Sequence, residues 1–247
     1  MMKRTTLMIL VVALFAGCRK GPSPLVQGGL RVIISPEWQG QPFQTGTEYH
    51  NITDYRVFFD PLRAYLAEAR LVGQSGDAEL FDIDLFDLSN GPVERNFTVE
   101  PGTYDMLHLG LGVPEALNHS DPTQYPNTHP LSLFTGTHWN WTTGYRFVIF
   151  EGRYDTDPNG TGTVLPTWSI HTGLDTCYRT MDLQPSLPIV ITSGDVREIT
   201  LHVEMSRFFY SSTDTLDIDV DTQFHGGTNV ELGIRSADLM TGAFSLD

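Results

Sequence analysis

The sequence predicts a single all-β domain of antiparallel strands, and three observations lead to this prediction. Short runs in which apolar and polar residues alternate recur along the chain, as in Ile199, Leu201 and Val203 with Thr200 and His202 between them. Gly, Pro, Asn and Asp interrupt these runs at short intervals, and no repeat or low-complexity block divides the chain. Alternation places apolar side chains on one face of a strand and polar ones on the other, which is typical of antiparallel sheets with one solvated face.

The predicted strands follow one another from residue 30 towards the C-terminus. They are residues 30–34, 80–87, 104–111, 145–150, 188–191, 199–205 and 216–221. Residues 61–72 could form a helix, but apolar residues at every second position there also fit a strand. We therefore expect an immunoglobulin-like β-sandwich with long loops over residues 30–247, since such sandwiches reach this size as one domain.

The N-terminal segment, residues 1–18, has the pattern of a bacterial lipoprotein signal. Lys3 and Arg4 precede an apolar run at 7–15, which is too short to span a bilayer as a mature helix. Small residues then lead to Cys18, the expected site of cleavage and lipidation. Ordinary secretion with cleavage near this cysteine is the alternative, and both readings predict an exported domain.

A lipid on Cys18 would anchor the protein to a membrane of the bacterial cell envelope, with residues 19–29 as a tether. Arg19 is not a retention signal of the Asp type, which favours the outer membrane over the inner one. The domain would face the periplasm or the cell surface. Cys177 is the only other cysteine, so the mature domain has no internal disulfide. This thiol is either a small buried hydrophobe or a soft metal ligand.

The charge and the missing motifs exclude several functions. The chain has 15 Lys and Arg against 30 Asp and Glu, a net charge of -15. Such a surface repels nucleic acid and is compatible with cations, with a basic partner protein, or simply with solubility. The sequence contains no Gly-x-Ser-x-Gly, P-loop, His-Glu-x-x-His or dinucleotide-binding glycine motif. The familiar catalytic signatures are thus missing, which is in keeping with a binding protein that is not itself an enzyme.

Histidine and tryptophan are the residues most suited to a site. Trp139 and Trp141 are separated by one residue, so in an extended strand they share one face while His138 lies on the other. His171 follows an apolar run, and His225 precedes two glycines. Imidazole is a good ligand for copper, zinc, iron and nickel. The alternative is an ordinary aromatic core with histidines scattered over the surface.

A second possible cation site lies between two of the predicted strands. Asp155, Asp157 and Asn159 place oxygen ligands at alternate positions before Gly160, as in the first half of a calcium loop. Pro166 stands where an EF-hand would have its bidentate Glu. The same residues also form a good plain turn, so both interpretations remain open.

Several motifs, taken in their order along the chain, resemble the MbnP-like family of exported copper-binding proteins, which are related to the methanobactin-associated MbnP. The Trp-x-Trp-x-x-Gly-Tyr core is the most specific of them. The matching residues are Gly112, Val113, Pro114 and Asn118, then Trp139, Trp141, Gly144, Tyr145, Glu151 and Gly152, then His171, Thr172 and Gly173. A Pro-Gly-Thr-Tyr turn at 101–104 and the apolar stretch around Tyr65 precede them, so the likeness spans about residues 30–244.

The resemblance implies a mechanism. In relatives, a partner dihaem peroxidase-like (MbnH-like) enzyme oxidises a tryptophan to kynurenine, and copper binding depends on that change. Indole nitrogen gives its lone pair to the aromatic ring and binds metals poorly, whereas the aryl amine of kynurenine coordinates beside imidazoles. By this resemblance His171 is a copper ligand, Trp139 is the favoured residue for oxidation and Trp141 is its neighbour.

Two departures from the family pattern affect the expected ligand set. Relatives often carry a histidine on the first strand, and residues 30–37 contain none. Pro114 replaces the Asp of a Gly-Val-Asp element. His138 or His225 would therefore have to complete the site. A structural or adhesion-type sandwich without metal, or a surface module stabilised by calcium, remains the alternative function.

Overall fold

The computed structural model describes residues 26–140, 142–163 and 165–247. The predicted signal segment, the lipidation at Cys18 and the side chain of Trp141 lie outside the described residues. No helix in the described ranges is long and apolar enough to cross a membrane.

The described chain is built mainly from strands, as the sequence predicts. The strands are β1 (Gly28–Trp38), β2 (Gln41–Pro42), β3 (Glu48–His50), β4 (Arg56–Phe59), β5 (Arg63–Gly73), β6 (Ala78–Asp87), β7 (Val93–Val99), β8 (Gly102–Leu111), β9 (His138–Asn140), β10 (Gly144–Asp155), β11 (Thr167–Gly173), β12 (Arg179–Leu183), β13 (Ile189–Ile191), β14 (Val196–Glu204), β15 (Gln223–Phe224) and β16 (Phe244–Leu246). The α-helices are α1 (Glu115–Asn118) and α2 (Val230–Thr241), and short 3-10 helices cover Pro122–Gln124, Leu133–Thr135, Asp175–Cys177 and Met205–Phe208.

The strands form two sheets that share one hydrophobic core. One sheet has the order β16-β14-β1-β2, with β7 also paired to β1. The other runs β12-β8-β5-β10-β11-β15, with further strands added along it. Trp38 of β1 packs against Phe59 of β4 at 5.5 Å between ring centroids, and Phe59 packs at 5.5 Å on Trp168 of β11. These contacts join the two sheets, and the predicted all-β sandwich is confirmed.

Among the described strands, pairing is antiparallel for most neighbours, and two pairs are parallel. β1 and β14 run parallel over nine paired positions, with Val32 opposite Ile199. β11 and β15 also run parallel, with Ser169 opposite Gln223. Parallel neighbours need a long connection, and both pairs join distant parts of the chain.

Most of the alternating runs predicted from the sequence form strands, and their apolar face packs against the core. In β14, Ile199, Leu201 and Val203 are buried, whereas Thr200 and His202 are partly exposed. The predicted strand at 145–150 lies inside β10. Residues 61–72 are largely β5, which settles the ambiguity in favour of a strand.

The predicted strand at 216–221 is wrong. Leu216 and Ile218 are buried as the alternation requires, but Val220 is exposed and the backbone turns instead of pairing. The backbone N–H of Asp221 donates to the carbonyl of Asp217 at 2.7 Å. Alternation of apolar and polar residues indicates which side chains face the core. A loop that lies against the core can show the same alternation as a strand.

Helix α2 was not predicted from the sequence. Its buried residues Leu232, Ser236, Leu239 and Met240 follow helical spacing. The helix packs against β11 and β12, and it meets β15 through Gly233. A Cβ atom at Gly233 would lie 2.3 Å from Cε1 of Phe224, so this glycine permits the close approach.

Candidate metal centre

Three neighbouring strands bring the polar residues of the candidate site together. β10 pairs with β11 so that Glu151 lies opposite Ser169 and Ile149 lies opposite His171. Ser169 and His171 are two residues apart on β11 and therefore share a face. β15 lies on the other side of β11 and ends at Phe224, so His225 follows at the same edge.

One tryptophan and two histidines form what we call the Trp139 cluster, made of Trp139, His171 and His225. The Trp139 ring lies 5.9 Å from the His171 ring and 5.9 Å from the His225 ring, centroid to centroid. The two imidazoles stack on each other at 4.8 Å with planes 25° apart. Strands distant in sequence thus place two nitrogen ligands against one indole.

Two glycines lie beside the indole of Trp139, at ordinary van der Waals distances. A Cβ atom on Gly173 would lie 3.7 Å from Cζ3 of the indole, and one on Gly226 would lie 3.5 Å from the same atom. Gly226 also has a φ of +75°, a conformation that other residues rarely adopt. The guanidinium of Arg146 lies 5.5 Å from the Trp139 ring centroid, in a cation–π arrangement.

A hydrogen-bonded network ties the two histidines to the sheet. His171 Nε2 is 2.6 Å from Glu151 Oε2, and the Ser169 hydroxyl donates to the same carboxylate oxygen at 3.1 Å. His225 Nε2 is 2.8 Å from Ser169 Oγ. Burial lowers the pKa of His171, and the hydrogen bond to Glu151 opposes this shift only in part. His171 is therefore neutral near pH 7, as a metal ligand must be.

His138 lies in a different environment from the other candidate ligands. Its ring packs edge-on against Tyr145 at 5.1 Å between centroids. It pairs with Tyr145 in the β9–β10 ladder, next to a register irregularity at Gly144. Burial lowers the pKa of His138. Of the residues predicted for the site, the structure brings together Trp139, His171 and His225.

The family motif around Asn118 has a structural explanation. The Asn118 side chain is buried, accepts the backbone N–H of Tyr145 at 2.8 Å and donates to Asp175 Oδ1 at 2.9 Å. Gly144 has a φ of +70°, and a Cβ atom there would lie 2.0 Å from the amide oxygen of Asn118. The Gly-Tyr pair thus lets α1 hold the start of β10, beside the Trp139 cluster.

The predicted calcium residues form a hydrogen-bonded turn. Asp155 Oδ2 pairs with the Arg56 guanidinium at 2.9 Å, and Asp155 Oδ1 accepts the backbone N–H of Asp157 at 3.0 Å. Asp157 in turn accepts the backbone N–H of Asn159 at 2.9 Å. These contacts match the plain turn that the sequence also predicts. Calcium binding here stays a prediction of the sequence, without a contact that favours it.

Within residues 26–140, 142–163 and 165–247, no group of three or more His, Cys, Asp or Glu side chains is arranged to hold a metal ion. The Trp139 cluster has two histidines, so a metal there needs a further ligand that the unmodified indole does not supply.

Sequence reasoning did not assign roles to Ser169 and Arg146. Ser169 could have been found, because it stands two residues before His171 on a strand and must share its face. Glu151 was recognised only as part of a motif, whereas the structure shows it bonded to His171. Nothing in the local sequence marks Arg146, whose contact with Trp139 depends on how β9 meets β10.

Comparison with protein families gives a match to the MbnP family over residues 27–230. The chain belongs to the MbnP family. The solved structure of MbnP from Methylosinus trichosporium is similar in fold, with 18% sequence identity, a TM-score of 0.51, and coverage of 77% of this chain and 80% of that chain. A search of curated proteins returned no match. The matched region includes every residue of the Trp139 cluster, and it ends at the first residue of α2.

Proposed function

We propose that this MbnP-family protein is an exported lipoprotein that binds copper through His171, His225 and an oxidised Trp139. One observation carries the proposal: both imidazoles lie at 5.9 Å from the same indole, between ring centroids. This is the arrangement expected if ring opening of that tryptophan supplies the missing ligand. Copper is the cargo of the protein, which acts by binding and has no catalytic role of its own.

The chemistry of the cluster fits copper. Neutral imidazole is a suitable donor for copper, and His171 is held neutral by burial. His225 is exposed and Trp139 is partly exposed, so an ion can reach the cluster from solvent. Two imidazoles and one aryl amine would form a set of three uncharged nitrogen donors.

The oxidation changes what Trp139 can bind. The C2–C3 bond of the indole breaks, both carbons gain oxygen, and hydrolysis then releases the former C2 as formate. The product has an aryl amine and a ketone. A dihaem peroxidase-like partner is the proposed catalyst, with two molecules of hydrogen peroxide as the oxidant, each giving one oxygen atom and leaving as water.

Two unused donors near Trp139 support an oxidised ring at this position. Nε of Arg146 and Oγ1 of Thr143 are buried, with no hydrogen-bond partner in the described part of the chain. Arg146 lies over the Trp139 ring, and Thr143 lies beside it at Gly226. An indole ring has no acceptor for these donors, whereas the ketone of kynurenine has one. Buried donors without partners are rare in native proteins.

The proposed location follows from the N-terminal segment. A lipid on Cys18 would hold the domain at the cell envelope, more readily at the outer membrane than at the inner one. A Cys18→Ala variant should appear in the soluble fraction of the envelope, whereas the unaltered protein should stay with the membranes. Equal membrane association of both would contradict the lipid anchor.

The copper site can be tested on protein isolated from its native host, where the partner is present. Intact-mass analysis should show that one tryptophan has gained an oxygen atom and lost a carbon atom, and peptide mapping should place the change at Trp139. Metal analysis should find copper. We expect the His171→Ala variant to lose most of this copper, and His225→Ala to lose a large part of it.

His50→Ala is the matched control. His50 is bonded to Asp54 on an exposed part of the sheet, away from the Trp139 cluster. Its replacement should leave copper content and mass unchanged. Copper retained in full by His171→Ala would contradict the proposed site. Unmodified tryptophan together with absent copper would favour a structural role for the sandwich.

A further inference from the structure

We infer that Glu151 and Ser169 are positioning residues that hold His171 and His225 as their Nε2–H tautomers, so that Nδ1 of each ring is the metal-binding atom. The inference rests on the proposed copper site, because it names the ligand atoms there. It also describes a property of the metal-free protein, and that property can be measured separately.

The first step concerns His171. A carboxylate only accepts hydrogen bonds, so the 2.6 Å contact between His171 Nε2 and Glu151 Oε2 requires a proton on Nε2. The alternative tautomer would place a lone pair of the ring against the carboxylate oxygen. A neutral imidazole has one N–H, so Nδ1 of His171 keeps its lone pair.

The second step extends the argument to His225. The Ser169 hydroxyl has one hydrogen, and its 3.1 Å contact with Glu151 Oε2 uses that hydrogen, since the carboxylate cannot donate. The 2.8 Å contact between Ser169 Oγ and His225 Nε2 must then be donated by the ring. His225 is therefore also an Nε2–H tautomer, with its lone pair on Nδ1.

One carboxylate thus determines the state of both rings. Nε2 of His171 and Nε2 of His225 lie at 3.1 Å and 2.8 Å from the same hydroxyl oxygen, so both are engaged by the protein. The two rings stack at 4.8 Å between centroids, so the two histidines belong to one cluster. Histidines that bind metals usually donate their other N–H to a carboxylate or carbonyl, which orients the ring and raises its basicity.

The tautomers can be read by two-bond ¹H–¹⁵N NMR of histidine side chains in the metal-free protein with unmodified tryptophan. We expect Nε2–H for both rings in the unaltered protein. Glu151→Leu should release His171 to a mixture of tautomers, and Glu151→Gln should keep Nε2–H because its amide carbonyl still accepts. Ser169→Ala should change His225 while leaving His171 as it is, and Ser169→Thr should restore the pattern.

Copper affinity gives the second readout, by competition with a chromophoric Cu(I) chelator on the modified protein. Glu151→Leu should weaken binding roughly 10–100-fold, the usual effect of losing such a partner. Glu151→Gln should bind nearly as the unaltered protein does. Glu37→Gln is the matched control, because it removes a carboxylate from His202 at a different position in the fold.

The outcomes separate the two proposals. An Nδ1–H tautomer of His171 in the unaltered protein overturns the inference, whether or not copper binds. The expected tautomers without copper binding overturn the proposed function and leave the positioning roles in place. Thermal unfolding identifies variants that fail to fold. If Glu151→Leu is one of them, the inference is tested with Ser169→Ala instead.

Discussion

At the scale of a single residue, Asn118 shows how one buried side-chain amide contributes to the stability of the fold. It is 1% exposed, and it links α1 to the backbone of β10 and to Asp175. The sequence marks it only as part of a family motif. Its function in the fold is to satisfy the N–H of Tyr145, which lies too deep for water to reach.

Replacing Asn118 by Ala should therefore lower the free energy of unfolding. The N–H of Tyr145 loses its acceptor inside the core, which costs about 1–3 kcal/mol. Asn96→Ala, on the exposed side of β7, is the control and should change stability by less than about 0.5 kcal/mol. Equal effects of the two variants, measured by urea unfolding, would show that the buried amide has no special role.

Helix α2 packs against the elements that carry the two histidines of the site. It packs against β11, which carries His171, and its Gly233 meets Phe224, the residue before His225. The helix thus packs against both of the segments that carry the histidines. Only the first residue of this helix lies within the region matched by the family.

Shortening a buried side chain of α2 should destabilise the fold. Leu239 is 3% exposed and part of the main core, so Leu239→Ala should lower the free energy of unfolding by about 2–5 kcal/mol. Leu187 is 72% exposed, and Leu187→Ala should have an effect within about 0.5 kcal/mol. If thermal unfolding gives both variants the same stability, α2 does not share the core of the sandwich.

At the scale of the whole molecule, the two ends of the domain meet in one sheet. β1 pairs in parallel with β14, and β16 pairs with β14 from the other side. His202 on β14 connects them, with Nδ1 at 2.6 Å from Glu37 on β1 and Nε2 at 2.7 Å from Asp247 after β16. A chain with a net charge of -15 gains from a cation placed between two carboxylates.

This arrangement predicts a pH-dependent stability. Burial alone would lower the pKa of His202, but its hydrogen bonds to Asp247 and Glu37 outweigh burial and raise it. A raised pKa in the folded state stabilises the protein below the unfolded value of about 6.5, and this stabilisation is lost as pH rises through the folded value. The pKa of Asp247 is lowered by the same bond, so its contribution is lost when the pH falls through its folded value in acid.

We therefore expect the stability difference between the unaltered protein and His202→Gln to depend on pH. The difference should be largest between the folded-state pKa of Asp247 and the unfolded pKa of His202 near 6.5, and it should shrink as the pH rises through the raised folded-state pKa of His202. Urea unfolding over a series of pH values measures it directly. A difference that stays constant across the series would mean that His202 contributes by packing and not by charge.

The sequence by itself determined the local features of this protein. The all-β class followed from period-two alternation, because the strand periodicity acts on neighbouring residues. The same periodicity could have placed Ser169 beside His171. The choice of His171 and Trp139 came from motifs that reflect residue chemistry and order, and it stays a prediction; the two rings lie 5.9 Å apart between centroids.

Only the tertiary structure decided which distant segments meet. His225 reaches the cluster because β15 pairs in parallel with β11, and no local pattern specifies that pairing. His138 lies against Tyr145 beside an irregularity in the β9–β10 register. A strand was predicted at 216–221, but the backbone there forms a turn that buries Leu216 and Ile218 and leaves Val220 exposed. The register of each strand and the choice of its neighbour depend on packing over the whole core. Contacts between residues distant in sequence fix them, and local sequence patterns do not reveal those contacts.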